Sequence, residues 1–219
     1  MGIRGLQVVS THMMYFLGGA VLTLEITVLS ILIGMALGLV AALSKISGLK
    51  PLVWLATVYI DFFRGTPLFV QILLIYFGVL PMILPDSSNF TAAVIACSLN
   101  SGAYVAEIVR AGIQAVDRGQ MEAARSLGMS NRQAMWHVIL PQAYKIVIPP
   151  LINEFIAVLK DTSLVAVIAA EELTLRGKLL YSTTFEAAWI WGTVAMIYFI
   201  MTKTLSVLGD WVERRLANE

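Results

Sequence analysis

The chain has 219 residues, of which 58% are hydrophobic and 13% are charged, and its formal net charge is +1. Soluble domains carry about 25% charged residues, so this composition favours a chain that is embedded in lipid. The small net charge excludes nucleic-acid binding through a basic face. The single cysteine, Cys97, excludes an intrachain disulfide and a thiolate metal site.

Five segments are apolar enough, over about 20 residues or more, to cross a bilayer as α-helices. In chain order they span residues 13–43, 52–80, 90–113, 138–159 and 187–208. We therefore predict an all-α integral membrane protein with five transmembrane helices, which forms a single domain over residues 1–219. The apolar run 164–170 is too short to span, so we expect a re-entrant or interfacial element there.

The basic residues predict the orientation of these segments, because Lys and Arg are enriched in cytoplasmic loops. The larger group falls on one side: Lys45, Lys50, Arg110, Arg118, Arg125, Arg132, Lys145, Arg214 and Arg215. The connection over residues 81–89 has no Lys or Arg. We therefore expect the N-terminus outside the cell, and the C-terminus and the segment between the third and fourth helices in the cytoplasm.

Sequence signals for bond chemistry are missing. The chain has no phosphate-binding loop that ends in Gly-Lys-Ser/Thr and no nucleophile elbow. Its two histidines, His12 and His137, are far apart in sequence, which argues against a histidine metal site. We expect no catalytic residue, metal or cofactor, so any ATP-driven activity would require ATP hydrolysis by another chain.

A charged segment, residues 122–141, separates the third and fourth predicted helices. We predict a short helix over residues 120–127 that ends at Gly128, because glycine tolerates left-handed backbone geometry. The predicted apolar face of this helix consists of Ala123, Ala124 and Leu127. Ser130 or Asn131 can cap a second helix. These residues alone fit either a docking surface or an ordinary loop on the membrane surface.

The same segment resembles the cytoplasmic loop of permease subunits of bacterial ABC importers. The signature of that loop is Glu-Ala-Ala, three residues, Gly, nine residues, an aliphatic residue, one residue and Leu-Pro. The chain matches it at Glu122, Ala123, Ala124, Gly128, Val138, Leu140 and Pro141, with Val138 in place of the usual Ile. Two further motifs resemble the polar amino acid permeases of this class: Arg64-Gly65-Thr66-Pro67 with Gln71, and Lys160-Asp161-Thr162-Ser163-Leu164.

The resemblance extends over nearly the whole chain and implies the transmembrane domain of a type I ABC importer in the bacterial cell membrane. The segment would then contain the coupling helix, whose ATPase-coupling residues would be Glu122, Ala123, Ala124, Leu127 and Gly128. Two permease subunits, identical or different, would pair with two cytoplasmic ATPase subunits. An extracytoplasmic binding protein would deliver the amino acid.

Polar residues within the spans are candidates for the substrate pathway, because ionisable groups are costly in lipid. Glu154, with Asn153 beside it, is the first candidate, since a carboxylate can pair with a cationic side chain. The alternative for Glu154 is a hydrogen bond between helices. On the third span, Asn100 and Tyr104 share a face with Glu107. Asn100 is a candidate for hydrogen bonds to the substrate, and Tyr104 fits either contact with the substrate pathway or packing between helices. Glu107 itself is expected to pair with Arg110, three residues away.

Carboxylates exceed cations in the apolar interior, with Glu25, Glu107 and Glu154 against Arg64. This excess favours a cationic amino acid such as arginine, lysine or histidine, and glutamine or glutamate is the alternative. An ATP-independent secondary carrier would be expected to show internal repeats, and none is clear here. Arg64 fits either a contact with the substrate carboxylate or a structural pair, for example with Asp61. Glu25 is expected to face the other spans.

Overall fold

The structure is a computed structural model that describes residues 2–217, and within that range all regular secondary structure is helical. Eleven α-helices lie in this range. They are α1 (Gly2–Thr11), α2 (Met13–Ile46), α3 (Lys50–Gly65), α4 (Leu68–Leu73), α5 (Leu80–Ile83), α6 (Asn89–Gln114), α7 (Arg118–Ser126), α8 (Asn131–Ala134), α9 (Leu140–Asp161), α10 (Leu173–Thr184) and α11 (Ala187–Ala217). Two π-helical segments, Leu74–Val79 and Met135–Ile139, and a 3₁₀ helix, Thr162–Ile168, connect some of them.

The described part of the chain has three helices that are individually long and apolar enough to cross a membrane, namely α2, α6 and α11. Helix α3 and the segment Leu68–Ile83 meet at 110° and form a fourth span only if they are taken together. The fourth predicted span corresponds to α9, which has 22 residues but is interrupted by Lys145, Glu154 and Lys160. The all-helical membrane fold is therefore confirmed, whereas the count of five spans stays a prediction.

Helices α2 and α6 form the centre of the bundle, and small residues let their backbones approach closely. A Cβ atom on Gly38 would lie 2.6 Å from the Val105 side chain, and one on Gly34 would lie 3.2 Å from the backbone nitrogen of Gly102. Such contacts leave no room for larger side chains at either glycine. The glycines of α2 therefore allow close packing against α6. This packing fixes the position of α6, which carries several candidate site residues.

The predicted short element after α9 is observed as the 3₁₀ helix, and the structure adds α10, which was not predicted. Glu172, which is 0% exposed, caps α10 by accepting hydrogen bonds from the backbone nitrogens of Thr174 and Leu175, each at 2.8 Å. The hydroxyl of Tyr198 on α11 donates to the same carboxyl at 2.8 Å. Burial raises the pKa of Glu172 above its ordinary value. Glu172 thereby ties α10 to α11.

Candidate substrate pathway and coupling surface

The Arg64-Gly65-Thr66-Pro67 motif forms the bend between α3 and α4, and Gln71 crosses that bend. Gln71 is 1% exposed, and its Nε2 lies 2.8 Å from the carbonyl oxygen of Phe63 and 2.9 Å from that of Thr66. These carbonyls lie at the C-terminal end of α3, where the last carbonyls of a helix lack the amide partners of the next turn. Gln71 replaces those partners, which explains why a buried glutamine accompanies the motif.

Asn100 of α6 attaches the bend to the centre of the bundle. Its Nδ2 donates to Oε1 of Gln71 at 2.9 Å and to the carbonyl oxygen of Phe63 at 3.3 Å. Both amide hydrogens of Asn100 are thus engaged within the chain. The predicted contact between Asn100 and substrate stays a prediction, and it would have to use Oδ1.

We predict that Gln71→Leu destabilises the protein. Leucine has a similar volume, but it would leave the carbonyls of Phe63 and Thr66 and the amide of Asn100 without this partner. A buried polar group that loses its hydrogen bond costs about 1–3 kcal/mol. Thermal unfolding of the purified transporter in detergent measures the effect, and Gln7→Leu, at an exposed position of α1, is the matched control. Equal unfolding temperatures for the two variants would contradict this role of Gln71.

Glu107 is the centre of an ion-pair cluster that joins three helices. Its carboxylate lies 2.8 Å from Nζ of Lys45 on α2, 2.6 Å from Nη2 of Arg110 on α6 and 3.7 Å from Nη1 of Arg64 on α3. The expected pair of Glu107 with Arg110 is observed. Arg64 pairs with this distant carboxylate instead of with Asp61, because the fold places the end of α3 against α6. Glu107 therefore has three cationic partners, and these ion pairs connect α2, α3 and α6.

A cleft of about 430 Å³ lies between the Glu107 cluster and α9. Tyr104, which is 38% exposed, lines it, and the Arg64 guanidinium lies 5.4 Å from the centre of the Tyr104 ring. Ile146 and Pro150 of α9 line the opposite wall. The structure thus places Tyr104 at a cavity, as expected for a residue that lines a pathway.

Glu154 and Asp161 share a face of α9 with Pro150, because Glu154 is four residues after Pro150 and Asp161 is seven residues after Glu154. Of these three residues, only Pro150 lines the cleft itself. Glu154 is half-buried, and its carboxyl lies next to Ser101 of α6. The buried hydroxyl of Ser101 has no hydrogen-bond partner of good geometry among the described residues. Neither Glu154 nor Asp161 forms an ion pair within residues 2–217.

Two other predicted positions differ in their surroundings. Asn153 is exposed beside Glu154, so its side-chain amide is accessible to a bound molecule. Glu25 is also exposed, next to Phe90 on the outer side of α2, so the expectation that it faces the other spans is wrong. The reason is helical periodicity: Thr23, Ile26 and Thr27 form the buried face of α2, and Glu25 points away from it.

The segment between α6 and α9 has the predicted helix, turn and helix. Helix α7 ends at Ser126, and the chain turns at Gly128, where φ is +85°. The backbone nitrogens of Gly128 and Met129 donate to the carbonyls of Arg125 and Ala124 at 3.0 and 3.2 Å. This pattern is a Schellman motif, which only glycine adopts without strain. Ser130, and not Asn131, caps α8 in a capping box with Gln133.

The predicted apolar face of α7 is divided. Ala124 is 4% exposed and packs within the chain, whereas Glu122, Ala123 and Leu127 are exposed, Leu127 to 82%. Trp136 in the following π-helical segment is also exposed and was missed as a candidate, although a tryptophan within a charged segment is a signal for binding. The exposed apolar surface of α7 and the turn after it therefore centres on Leu127.

Comparisons with known proteins agree with this geometry. Residues 34–218 match the family described as binding-protein-dependent transport system inner membrane component. The chain is 40% identical over 202 residues to the arginine transport system permease protein ArtQ of Bacillus subtilis (strain 168), and the match covers 92% of each chain. It is 42% identical over 200 residues to the glutamine transport system permease protein GlnP of Escherichia coli (strain K12), and the match covers 90% of this chain and 91% of GlnP. A solved structure described as an amino acid ABC transporter with histidines is 47% identical, with a TM-score of 0.90, and the match covers 94% of this chain and 96% of that one.

The apolar helices and the family match define an integral, multi-pass permease of the inner membrane. The chain belongs to the family of binding-protein-dependent transport system inner membrane components, as a permease subunit of an amino acid ABC importer. The resemblance that the sequence motifs indicated is thus confirmed. Membership implies ATPase and permease partners, and it places the ATPase on a separate chain.

Proposed function

We propose that this subunit forms the translocation pathway for cationic amino acids, such as arginine, lysine or histidine. The observation that carries the proposal is the presence of two carboxylates, Glu154 and Asp161, on one face of α9, neither of which forms an ion pair with a described residue. Carboxylates are costly in the membrane interior unless a positive charge compensates them. A cationic side chain supplies that charge, whereas Glu107 already has its own cations.

The remaining candidates surround this pair. In the proposal Glu154 binds the cationic group of the substrate, and Asn153, Tyr104 and Oδ1 of Asn100 contact its polar backbone groups. The basis for this arrangement is the cleft between α6 and α9, which Tyr104 lines and whose α9 wall leads to Glu154. The name of ArtQ, an arginine transport system permease protein, and the description of the solved amino acid ABC transporter as one with histidines agree with a cationic substrate.

Glutamine is the second candidate substrate. GlnP, which is named for glutamine, has nearly the same identity to this chain as ArtQ. The exposed amide of Asn153 offers a hydrogen-bond donor and acceptor that suit a neutral amide side chain. Glutamine would nevertheless leave Glu154 and Asp161 without an ion pair, which is why we favour a cationic substrate.

We also propose how the subunit works within its transporter. The exposed residues Glu122, Ala123 and Leu127, held by the turn at Gly128, dock on an ATPase subunit that hydrolyses ATP, and this chain is no enzyme itself. Closure of the ATPases draws two such coupling helices together and switches the access of the pathway. An extracytoplasmic binding protein delivers the substrate. The distribution of Lys and Arg supports an external N-terminus and a cytoplasmic C-terminus for this single-domain chain.

The substrate is tested by equilibrium binding of labelled arginine, histidine and glutamine to the purified permease–ATPase complex without its binding protein. We expect arginine to bind about tenfold more tightly than glutamine, which corresponds to about 1.4 kcal/mol. Tighter binding of glutamine than of arginine would contradict the cationic assignment and favour the second candidate.

A further inference from the structure

The face of α9 that points away from Glu154 borders two adjoining cavities, which the proposed pathway does not use. The first, of about 730 Å³, lies between the start of α9 and the end of α11 and is lined by Lys145, Asp210, Glu213 and Arg214, among others. The second, of about 340 Å³, is apolar and lies between α2, α9 and α11. Its lining includes Met35, Ile148, Ile152, Phe155, Leu205 and Leu208.

The two cavities are neighbours, because consecutive residues of both helices line them. On α9 the polar cavity includes Pro149 and the apolar groove includes Ile148, while on α11 they include Asp210 and Gly209 respectively. A Cβ atom on Gly209 would lie 2.5 Å from the Ile152 side chain, so α9 and α11 are closely packed at this position. The site therefore has a polar end near the helix termini and an apolar end deeper in the bundle.

The polar cavity contains two positive and two negative side chains that form no ion pairs within the described residues. Lys145, Asp210, Glu213 and Arg214 form no ion pair with any residue in the described range. Of their side chains, only Arg214 is hydrogen-bonded there, with its Nε donating to the backbone carbonyl of Asp210 at 3.1 Å. Unpaired charges of both signs complement a ligand that carries a positive and a negative charge itself.

We propose that this site binds a phospholipid with a phosphoethanolamine headgroup. Lys145 and Arg214 bind the phosphate, Asp210 and Glu213 bind the ammonium group, and one acyl chain lies in the apolar groove. The dimensions agree, because Lys145 and Phe155 are ten residues apart on α9, which is about 15 Å of helix. That length is about half the hydrocarbon thickness of a bilayer, as expected for one leaflet.

Competition between lipids for the purified permease–ATPase complex tests the proposal without any substitution. Phosphatidylethanolamine and phosphatidylglycerol with the same acyl chains are added together, and bound lipid is measured by native mass spectrometry. We expect the ethanolamine lipid to be retained preferentially, because phosphatidylglycerol has no ammonium group for Asp210 and Glu213. Equal or stronger retention of phosphatidylglycerol overturns the proposal.

A pair of matched variants tests the position of the site. Lys145→Glu combined with Arg214→Glu is expected to lower retention of phosphatidylethanolamine about tenfold, because two charge-assisted contacts to phosphate are lost. Arg215→Glu is the control, since Arg215 lies outside the cavity lining with its guanidinium 4.5 Å from the centre of the Trp211 ring. An equal loss in both variants, or cross-linking of Glu213→Cys to another protein subunit, overturns the proposal.

Discussion

Glu154→Gln is expected to weaken the binding of arginine about ten- to hundredfold, because a hydrogen bond to a charged group contributes about 1.5–3 kcal/mol. Glutamine has the same shape as glutamate but cannot compensate a positive charge. The substitution also removes an uncompensated carboxylate, so the variant should fold at least as well as the natural chain. Equilibrium binding of labelled arginine to the permease–ATPase complex measures the effect.

The control for this experiment is Glu25→Gln, which removes the same charge from the exposed outer side of α2. It should leave the affinity for arginine unchanged. The affinity of Glu154→Gln for glutamine should stay equal or rise, since no positive charge is involved. Unchanged affinity for arginine in Glu154→Gln would remove this residue from the proposed site and shift the proposed role to Asp161.

Leu127→Asp is expected to separate substrate binding from ATP-driven transport. Leu127 is 82% exposed at the end of α7, and burial of a leucine side chain in a groove of the ATPase would contribute about 1.5–3 kcal/mol. A charge at this position would add a desolvation cost. We expect much weaker co-purification of the ATPase and a loss of uptake in proteoliposomes, while detergent-solubilised subunits still bind arginine.

Leu49→Asp is the matched control, because Leu49 is also an exposed leucine outside the coupling segment, where it precedes α3. This variant should retain the ATPase. The proposed docking role of α7 would be disproved if Leu127→Asp retained the ATPase and transported at the rate of the Leu49 control.

The features that were predictable depend on composition or on local backbone chemistry. Helices α2 and α6 follow from long apolar runs, and the end of α7 follows from Gly128, because a Schellman turn needs only a few consecutive residues. The capping box at Ser130 is equally local. The family motifs indicated the class of transporter because their residues occur together in one order.

The features that were missed depend on which helix faces meet. The orientation of Glu25 was mistaken because α2 is apolar on nearly all sides. Its sequence pattern therefore does not indicate which face of the helix is buried. Arg64 was placed beside Asp61 because they are neighbours in sequence, yet the fold brings Glu107 to it from α6. Glu172 was overlooked because nothing in its local sequence shows that Tyr198, 26 residues later, contacts it.

The hydrogen bonds of Gln71 also restrict how the pathway can move. One side chain connects the last turn of α3, the first turns of α4 and, through Asn100, the middle of α6. A change in the angle between α3 and α4 would break several of these bonds together, at about 1–3 kcal/mol for each buried group left unpaired. We therefore expect α3, α4 and α6 to move together as one unit when access to the pathway changes.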